Sequence, residues 1–120
     1  MLSDFHAYKT MFHFLDGIWS SRKTEFDFDF PGLLSNLSPT LFGHENPAFP
    51  GEWDYWKRCA TSESLTNEEA FEAMLEYLRI YQVTESERKE ISKVISLIEE
   101  SKDESLRKWI TIAHDISSSN

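Results

Sequence analysis

The stretch TNEEAFEAMLEYLRIYQV, residues 66–83, decides the fold class of this 120-residue chain. Thr66 and Glu69 have capping-box spacing, in which each side chain accepts a hydrogen bond from a backbone N–H group at the helix start. Apolar residues at helical spacing then predict one buried face, made of Phe71, Met74, Leu75, Leu78 and Tyr81. The opposite face carries acids with no lysine or arginine among them: Glu69, Glu72 and Glu76. We therefore expect a helix with a packed side and an acidic side.

Two further helices should follow at short intervals. Thr84 with Glu87, and Ser101 with Glu104, repeat the capping-box spacing. The apolar residues of these two helices are Ile91, Val94, Ile95 and Ile98, and then Leu106, Trp109, Ile110, Ala113 and Ile116. Connections this short predict that consecutive helices are antiparallel neighbours. Residues 117–120, SSSN, should fray.

The sequence pattern of the N-terminal segment predicts another helix over residues 4–19, with Ser3 as its N-cap. Its apolar residues cover about half of the circumference: Phe5, Tyr8, Met11, Phe12, Phe14, Leu15, Ile18 and Trp19. His6 and His13 lie on the polar side, with Lys9 between them. Since no cysteine or second carboxylate pair completes a ligand set, we expect exposed histidines, no metal site and no cofactor.

Residues 25–30, EFDFDF, alternate strictly between acidic and aromatic side chains. In an extended chain the three phenylalanines would share one face and the three acids the other, which is typical of a half-buried strand. Phe30 also precedes Pro31, and this position disfavours helical geometry. Because no second convincing strand is present, the segment is either irregular and anchored by its rings, or an edge completed by another chain.

The middle of the chain is rich in proline, glycine and aromatic residues. Residues 31–51 hold all four prolines and three of the four glycines, so we expect only single helical turns there, near residues 33–37 and 39–42. A short helix over residues 52–60 should follow, with Trp53 and Trp56 on one face. The rings either fill the core or form an aromatic contact surface. The predicted fold is all-α: one N-terminal and three C-terminal helices around an irregular middle segment.

Composition restricts the function. The formal net charge is −9, which opposes binding to nucleic acid or an anionic membrane and favours a basic protein partner. Cys59 is the single cysteine, so no internal disulfide can form. No signal peptide or membrane-spanning stretch is visible, and we expect one soluble, cytoplasmic domain over residues 1–120. No Ser-His-Asp or Cys-His set appears, so we do not expect an enzyme.

A family resemblance begins at Phe14-Leu15-Asp16-Gly17-Ile18, followed by Glu25-Phe26. This arrangement resembles the opening of colicin D-type immunity proteins, in which a helix ends in a Phe-Leu-x-Gly-like turn and an acidic-plus-Phe segment begins the next element. Related immunity proteins accompany the toxic C-termini of contact-dependent growth inhibition systems. The resemblance implies a small helical inhibitor that binds a basic nuclease toxin, one to one, and covers its RNA-binding cleft.

The acidic side chains would then replace the phosphates that a nuclease's lysine and arginine side chains grip. Aromatic side chains would act as anchors that slow dissociation. The predicted partner-binding residues are Glu25, Asp27, Phe28, Asp29, Trp53, Asp54, Glu68, Glu69, Glu72 and Glu76. The alternative is a non-catalytic regulatory or adaptor module that binds another protein through its aromatic loop.

Overall fold

The computed structural model describes residues 2–26, 29–37, 50–84 and 89–118. Within these ranges the α-helices are α1 (Asp4–Ser21), α2 (Asp29–Leu37), α3 (Pro50–Cys59), α4 (Asn67–Thr84), α5 (Lys89–Glu100) and α6 (Lys102–Ser118). A 3-10 helix (Lys23–Glu25) and two short strands, β1 (Leu2–Ser3) and β2 (Ser64–Leu65), complete the elements. The predicted all-α class is confirmed. Helix α6 includes two residues of the segment that we expected to fray.

Side-chain caps begin α1 and α4 where the sequence predicts them. The His6 N–H donates to Ser3 Oγ over 3.0 Å at the start of α1. At α4 the Glu69 N–H donates to Thr66 Oγ1 (3.1 Å), and the Thr66 N–H donates to Glu69 Oε1 (2.9 Å). This reciprocal pair is the predicted capping box. The Ser101 carbonyl accepts from the first turn of α6, whereas the predicted Thr84–Glu87 box lies partly outside the described residues.

Helix α4 lies at the centre and packs against α1, α3, α5 and α6. Its predicted apolar face is buried, as are the apolar residues that we assigned to the face of α5. Three rings join the long helices: the centroids of Phe14 and Phe71 are 6.1 Å apart, and Trp109 lies 6.0 Å and 5.9 Å from them. Aromatic pairs at such distances add about 0.5–1.5 kcal/mol each beyond area burial. This cluster therefore fixes α1, α4 and α6 together.

The middle of the chain is more helical than predicted. Asp29 and Phe30 belong to α2, and Glu25 ends the 3-10 helix, so the extended strand considered as one alternative for residues 25–30 is absent at these three positions. Pro31 and Pro50 lie in the first turns of α2 and α3, where a proline sacrifices no helical hydrogen bond. The predicted turn at residues 39–42 lies outside the described residues.

Burial explains why α2 forms despite its proline. Its apolar side chains recur at helical spacing and are buried: Phe30, Leu33, Leu34 and Leu37. The Tyr8 hydroxyl of α1 donates to the Leu37 carbonyl over 2.7 Å and so satisfies a backbone acceptor in the last turn of α2. Packing against α1 thus stabilises a helix that local sequence signals disfavour.

Strands β1 and β2 form an antiparallel pair in which Leu2 faces Leu65. The Asp4 N–H then donates to the Glu63 carbonyl over 3.1 Å. This small sheet fastens the start of α1 to the segment that leads into α4. It was not predicted, because two-residue strands are too short to show an alternating pattern.

Candidate partner-binding surface

The exposed side of α4 carries four acids, Glu68, Glu69, Glu72 and Glu76, which we call the acidic face. All four residues are exposed, and the apolar side chains on the other side of the helix are buried. The predicted division of this helix into a packed and an acidic side is confirmed. Because the buried side is fixed in the core, the four carboxylates project from a rigid support.

Two of these acids have basic neighbours, so the acidic face is partly neutralised. Lys102 Nζ of α6 lies 2.7 Å from Glu72 Oε1, and Arg79 Nη1 lies 4.0 Å from Glu76 Oε2. Arg79 also pairs with Glu99 of α5. The i,i+3 spacing from Glu76 to Arg79 could have revealed one pair from the sequence. The pair with Lys102 depends on how α6 packs, which no local signal shows.

These pairs are open to solvent. The side chains of Lys102 and Glu72 are 51% and 52% exposed, respectively. Exposed ion pairs contribute about 0–1 kcal/mol, because water screens the charges and ordering long side chains has an entropic cost. A cation supplied by another protein can therefore compete for the carboxylate of Glu72.

The first turn of α4 holds the other two acids. Glu69 uses Oε1 in the capping box. Glu68 has no ion-pair partner among the residues that the structure describes. Both carboxylates lie near the positive end of the helix dipole, which favours negative charge at this position. Glu68 is thus the acid of this face that is most available to a cationic ligand.

Helix α3 borders the acidic face. Burial, and then the charge of Glu76, raise the pKa of the Cys59 thiol to about 11. Helices α3 and α4 pack against each other, and Cys59 is the last residue of α3. Asp54, another predicted binding residue, is exposed on the same helix. Lys57 and Arg58 are exposed in its last turn, so the acidic surface does not continue along all of α3.

Glu25 does not join this surface. Its carboxylate lies 2.9 Å from Arg22 Nη1 and 3.1 Å from Lys93 Nζ. Hydrogen bonds from Arg22 and then Lys93 hold the pKa of Glu25 below its ordinary value. Glu25 therefore links the end of α1 to α5. Asp27 and Phe28, and the side chains of Asp29 and Trp53, lie outside the described residues.

The described rings of the middle segment fill the core. Phe26, Phe30 and Trp56 are buried. Trp56 Nε1 donates to the Asp4 carbonyl over 3.1 Å, which satisfies the indole donor. Among the described rings of α3, Tyr55 is 39% exposed. Core filling, rather than an aromatic contact surface, is the role of the rings that are described here.

The two N-terminal histidines differ. His6 Nε2 lies 3.0 Å from the Ala113 carbonyl of α6 and the residue is half-buried, so the expectation that His6 is exposed is wrong. His13 is exposed, as predicted. Within the described ranges, no cluster of three His, Cys, Asp or Glu residues could hold a metal ion. In the same ranges, no helix is long and apolar enough to cross a membrane.

Searches among protein-family models, curated proteins and solved structures returned no match to this chain. In the segment that carries the colicin D-type resemblance, α1 continues through Gly17 and ends at Ser21. The turn that the resemblance implies at Gly17 is therefore replaced by helix.

Proposed function

We propose that this protein is a non-catalytic inhibitor that binds a basic nuclease toxin, as an immunity protein does. The observation that carries this proposal is the acidic face of α4, where four exposed carboxylates stand on a helix fixed by its buried side. A net charge of −9 adds long-range attraction for a basic protein.

The rigidity of α4, which carries the acidic face, favours binding. Docking requires ordering of side chains and backbone, and a surface that is already ordered loses less entropy on association. The backbone of α4 is held by its capping box and by the buried residues of its inner face. Only the terminal bonds of the glutamate side chains remain to be ordered. Carboxylates on such a helix can replace the phosphates of RNA in a nuclease's cationic cleft.

The ion pairs of the acidic face are compatible with this role. A partner arginine can grip a carboxylate through two parallel N–H···O bonds, whereas Lys102 offers a single point charge. Exchange of Lys102 for a partner arginine on Glu72 would leave the lysine free in solvent, where it is well hydrated. Binding therefore requires no buried charge to be broken apart.

The resemblance to colicin D-type and contact-dependent inhibition immunity proteins supports the same proposal. It points to a tRNase or other RNase as the toxin, to a one-to-one complex and to action in the cytoplasm. The adaptor alternative has weaker support, because it depends on exposed rings and those described in the middle segment lie mainly in the core.

The proposal is tested by affinity capture from the native cell with three baits in parallel. The first is the unaltered protein, and the second carries Glu68→Gln, Glu72→Gln and Glu76→Gln, which leaves Glu69 to cap α4. The control bait carries Asp16→Asn, Glu100→Gln and Glu104→Gln, with the same change in net charge on other helices.

We expect the unaltered and control baits to retain a basic protein that cleaves RNA, and one equivalent of the unaltered protein to stop that cleavage. The acidic-face variant should retain much less of it. Capture of an acidic or neutral partner, or RNA cleavage that continues with the inhibitor in excess, would contradict the proposal. Equal retention by all three baits would exclude the acidic face as the binding surface.

A further inference from the structure

A cleft of about 650 Å³ opens between α1, α5 and α6. None of its lining residues belongs to the acidic face of α4. The apolar part of the lining comes from all three helices: Phe14, Ile18, Leu97, Ile98 and Ile112. Its volume lies within the range of about 300–1,000 Å³ that is typical of small-molecule sites. Apart from Gly17, the rest of the lining is polar, so the cleft has both an apolar and a polar part.

Gly17 forms part of the wall of this cleft. It lies inside α1 and lines the cleft, and a Cβ added to it would meet no atom within 4 Å. Packing therefore does not require a glycine at this position. A glycine inside a helix costs about 0.5–1 kcal/mol relative to alanine. The chain thus carries a residue that makes the helix less stable at a point that lines the cleft.

The charge of the cleft is opposite to that of the whole chain. Three cations line it, Arg22, Arg107 and Lys108, against one carboxylate, Glu104. Arg22 pairs with Glu25 (2.9 Å) and Lys108 with Glu104 (3.6 Å), and both pairs are exposed. Arg107 has no ion-pair partner in the part of the chain that the structure describes. The charged rim of the cleft therefore favours an anionic group, and Arg107 is available to pair with it.

We propose that this cleft binds a small amphipathic anion, a medium-chain alkyl carboxylate, with its chain on the apolar lining and its carboxylate at Arg107. The apolar lining favours an alkyl chain because binding removes the surface of the chain and the surface of the lining from water. The cationic rim selects a negative head group. This site is independent of the toxin-binding proposal, since a basic partner of the acidic face has the wrong charge for it.

The test is an NMR titration of the full-length, ¹⁵N-labelled protein with decanoate, decanol and decyltrimethylammonium, each below its micellar concentration. We expect decanoate to shift the amide signals of Gly17, Leu97 and Ile112 in a saturable way. The cation should bind at least about fivefold more weakly, since it meets the same apolar lining with the wrong charge. Equal affinity for decanoate and the cation, or no saturable shift with decanoate, would overturn the proposal.

Two variants locate the site. Gly17→Leu fills the cleft and should lower decanoate affinity by about tenfold or more while raising Tm, because leucine favours the helix. Ser20→Leu, an exposed change on the same helix outside the cleft, is its control and should leave affinity unchanged. Arg107→Gln should weaken decanoate severalfold and leave decanol unaffected, with Arg58→Gln on α3 as its control. Unchanged decanoate affinity in both Gly17→Leu and Arg107→Gln would overturn the assignment.

Discussion

Lys102 Nζ lies 2.7 Å from Glu72 Oε1 and connects the first turn of α6 to the acidic face of α4. Both side chains are about half exposed, so the pair contributes little to stability. Its main consequence is electrostatic, because the ammonium group reduces the negative potential that a basic partner meets on approach.

Replacing Lys102 with glutamine should therefore leave the fold stable and speed binding. We expect a change of less than about 1 kcal/mol in the free energy of unfolding, measured by urea denaturation. At low salt the association rate with the proposed basic partner should rise about twofold or more. Lys108→Gln is the matched control, because it makes the same charge change but frees Glu104 instead of Glu72. An equal rise in both variants would show that Lys102 has no special influence on the acidic face.

The thiol of Cys59 should react slowly in the native protein. Burial and then Glu76 raise its pKa from 9.0 to about 11. The thiolate is the reactive species, and this shift lowers its fraction near pH 8 by roughly 100-fold. We expect alkylation by iodoacetamide to be at least about tenfold slower in the native protein than in the urea-unfolded chain.

The same shift has a defined effect on stability. The native thiol holds its proton more tightly than the unfolded one. Its contribution to the free energy of unfolding is therefore complete below about pH 9 and falls as pH rises towards about 11. Glu76→Gln should speed native alkylation, and Glu72→Gln serves as the control on the same helix. An unchanged rate in Glu76→Gln would contradict the contribution of the Glu76 charge to the raised pKa of Cys59.

The capping box of α4 should contribute measurably to stability. Thr66→Ala removes the oxygen that accepts from the Glu69 N–H, and we expect a loss of about 0.5–2 kcal/mol in the free energy of unfolding. Thr111→Ala is a suitable control, because Thr111 is exposed inside α6 and its hydroxyl only donates back to the Arg107 carbonyl. Equal losses in the two variants would mean that the cap contributes nothing specific.

Leu78 tests the packing of α4 against its neighbours. The residue is 0% exposed, so Leu78→Ala should lower the free energy of unfolding by about 2–5 kcal/mol. Ile110→Ala provides the comparison, because Ile110 is 38% exposed and its truncation should cost much less. A loss below about 0.5 kcal/mol for Leu78→Ala would contradict the buried orientation of this helix face.

Local signals predicted the long helices well. Ser3 and the Thr66–Glu69 pair form the expected caps, because a cap depends on residues only three positions apart. The buried face of α4 could be predicted for the same reason, because its pattern also depends on residues only a few positions apart. Helix α2 was predicted only as a single turn over residues 33–37, since the position before Pro31 disfavours helical geometry, although proline itself is well tolerated in a first helical turn.

The surfaces were harder to predict than the helices. The acids of α4 were identified correctly as exposed, but Lys102 reaches them only through the packing of α6. Likewise, the cleft beside Gly17 combines side chains from α1, α5 and α6, which no sequence window places together. Sequence patterns report which face of one helix is polar. They do not report which charges a neighbouring helix brings to that face.

The central claim is that the acidic face of α4 steers association with a basic nuclease. Its most direct test is the association rate constant of the captured nuclease at low and at high salt, for the unaltered protein and for the variant with Glu68→Gln, Glu72→Gln and Glu76→Gln. The unaltered protein should associate faster than the variant at low salt, by about tenfold, and the two rates should converge as salt screens the charges. A variant that associates at the unaltered rate at low salt would contradict the claim.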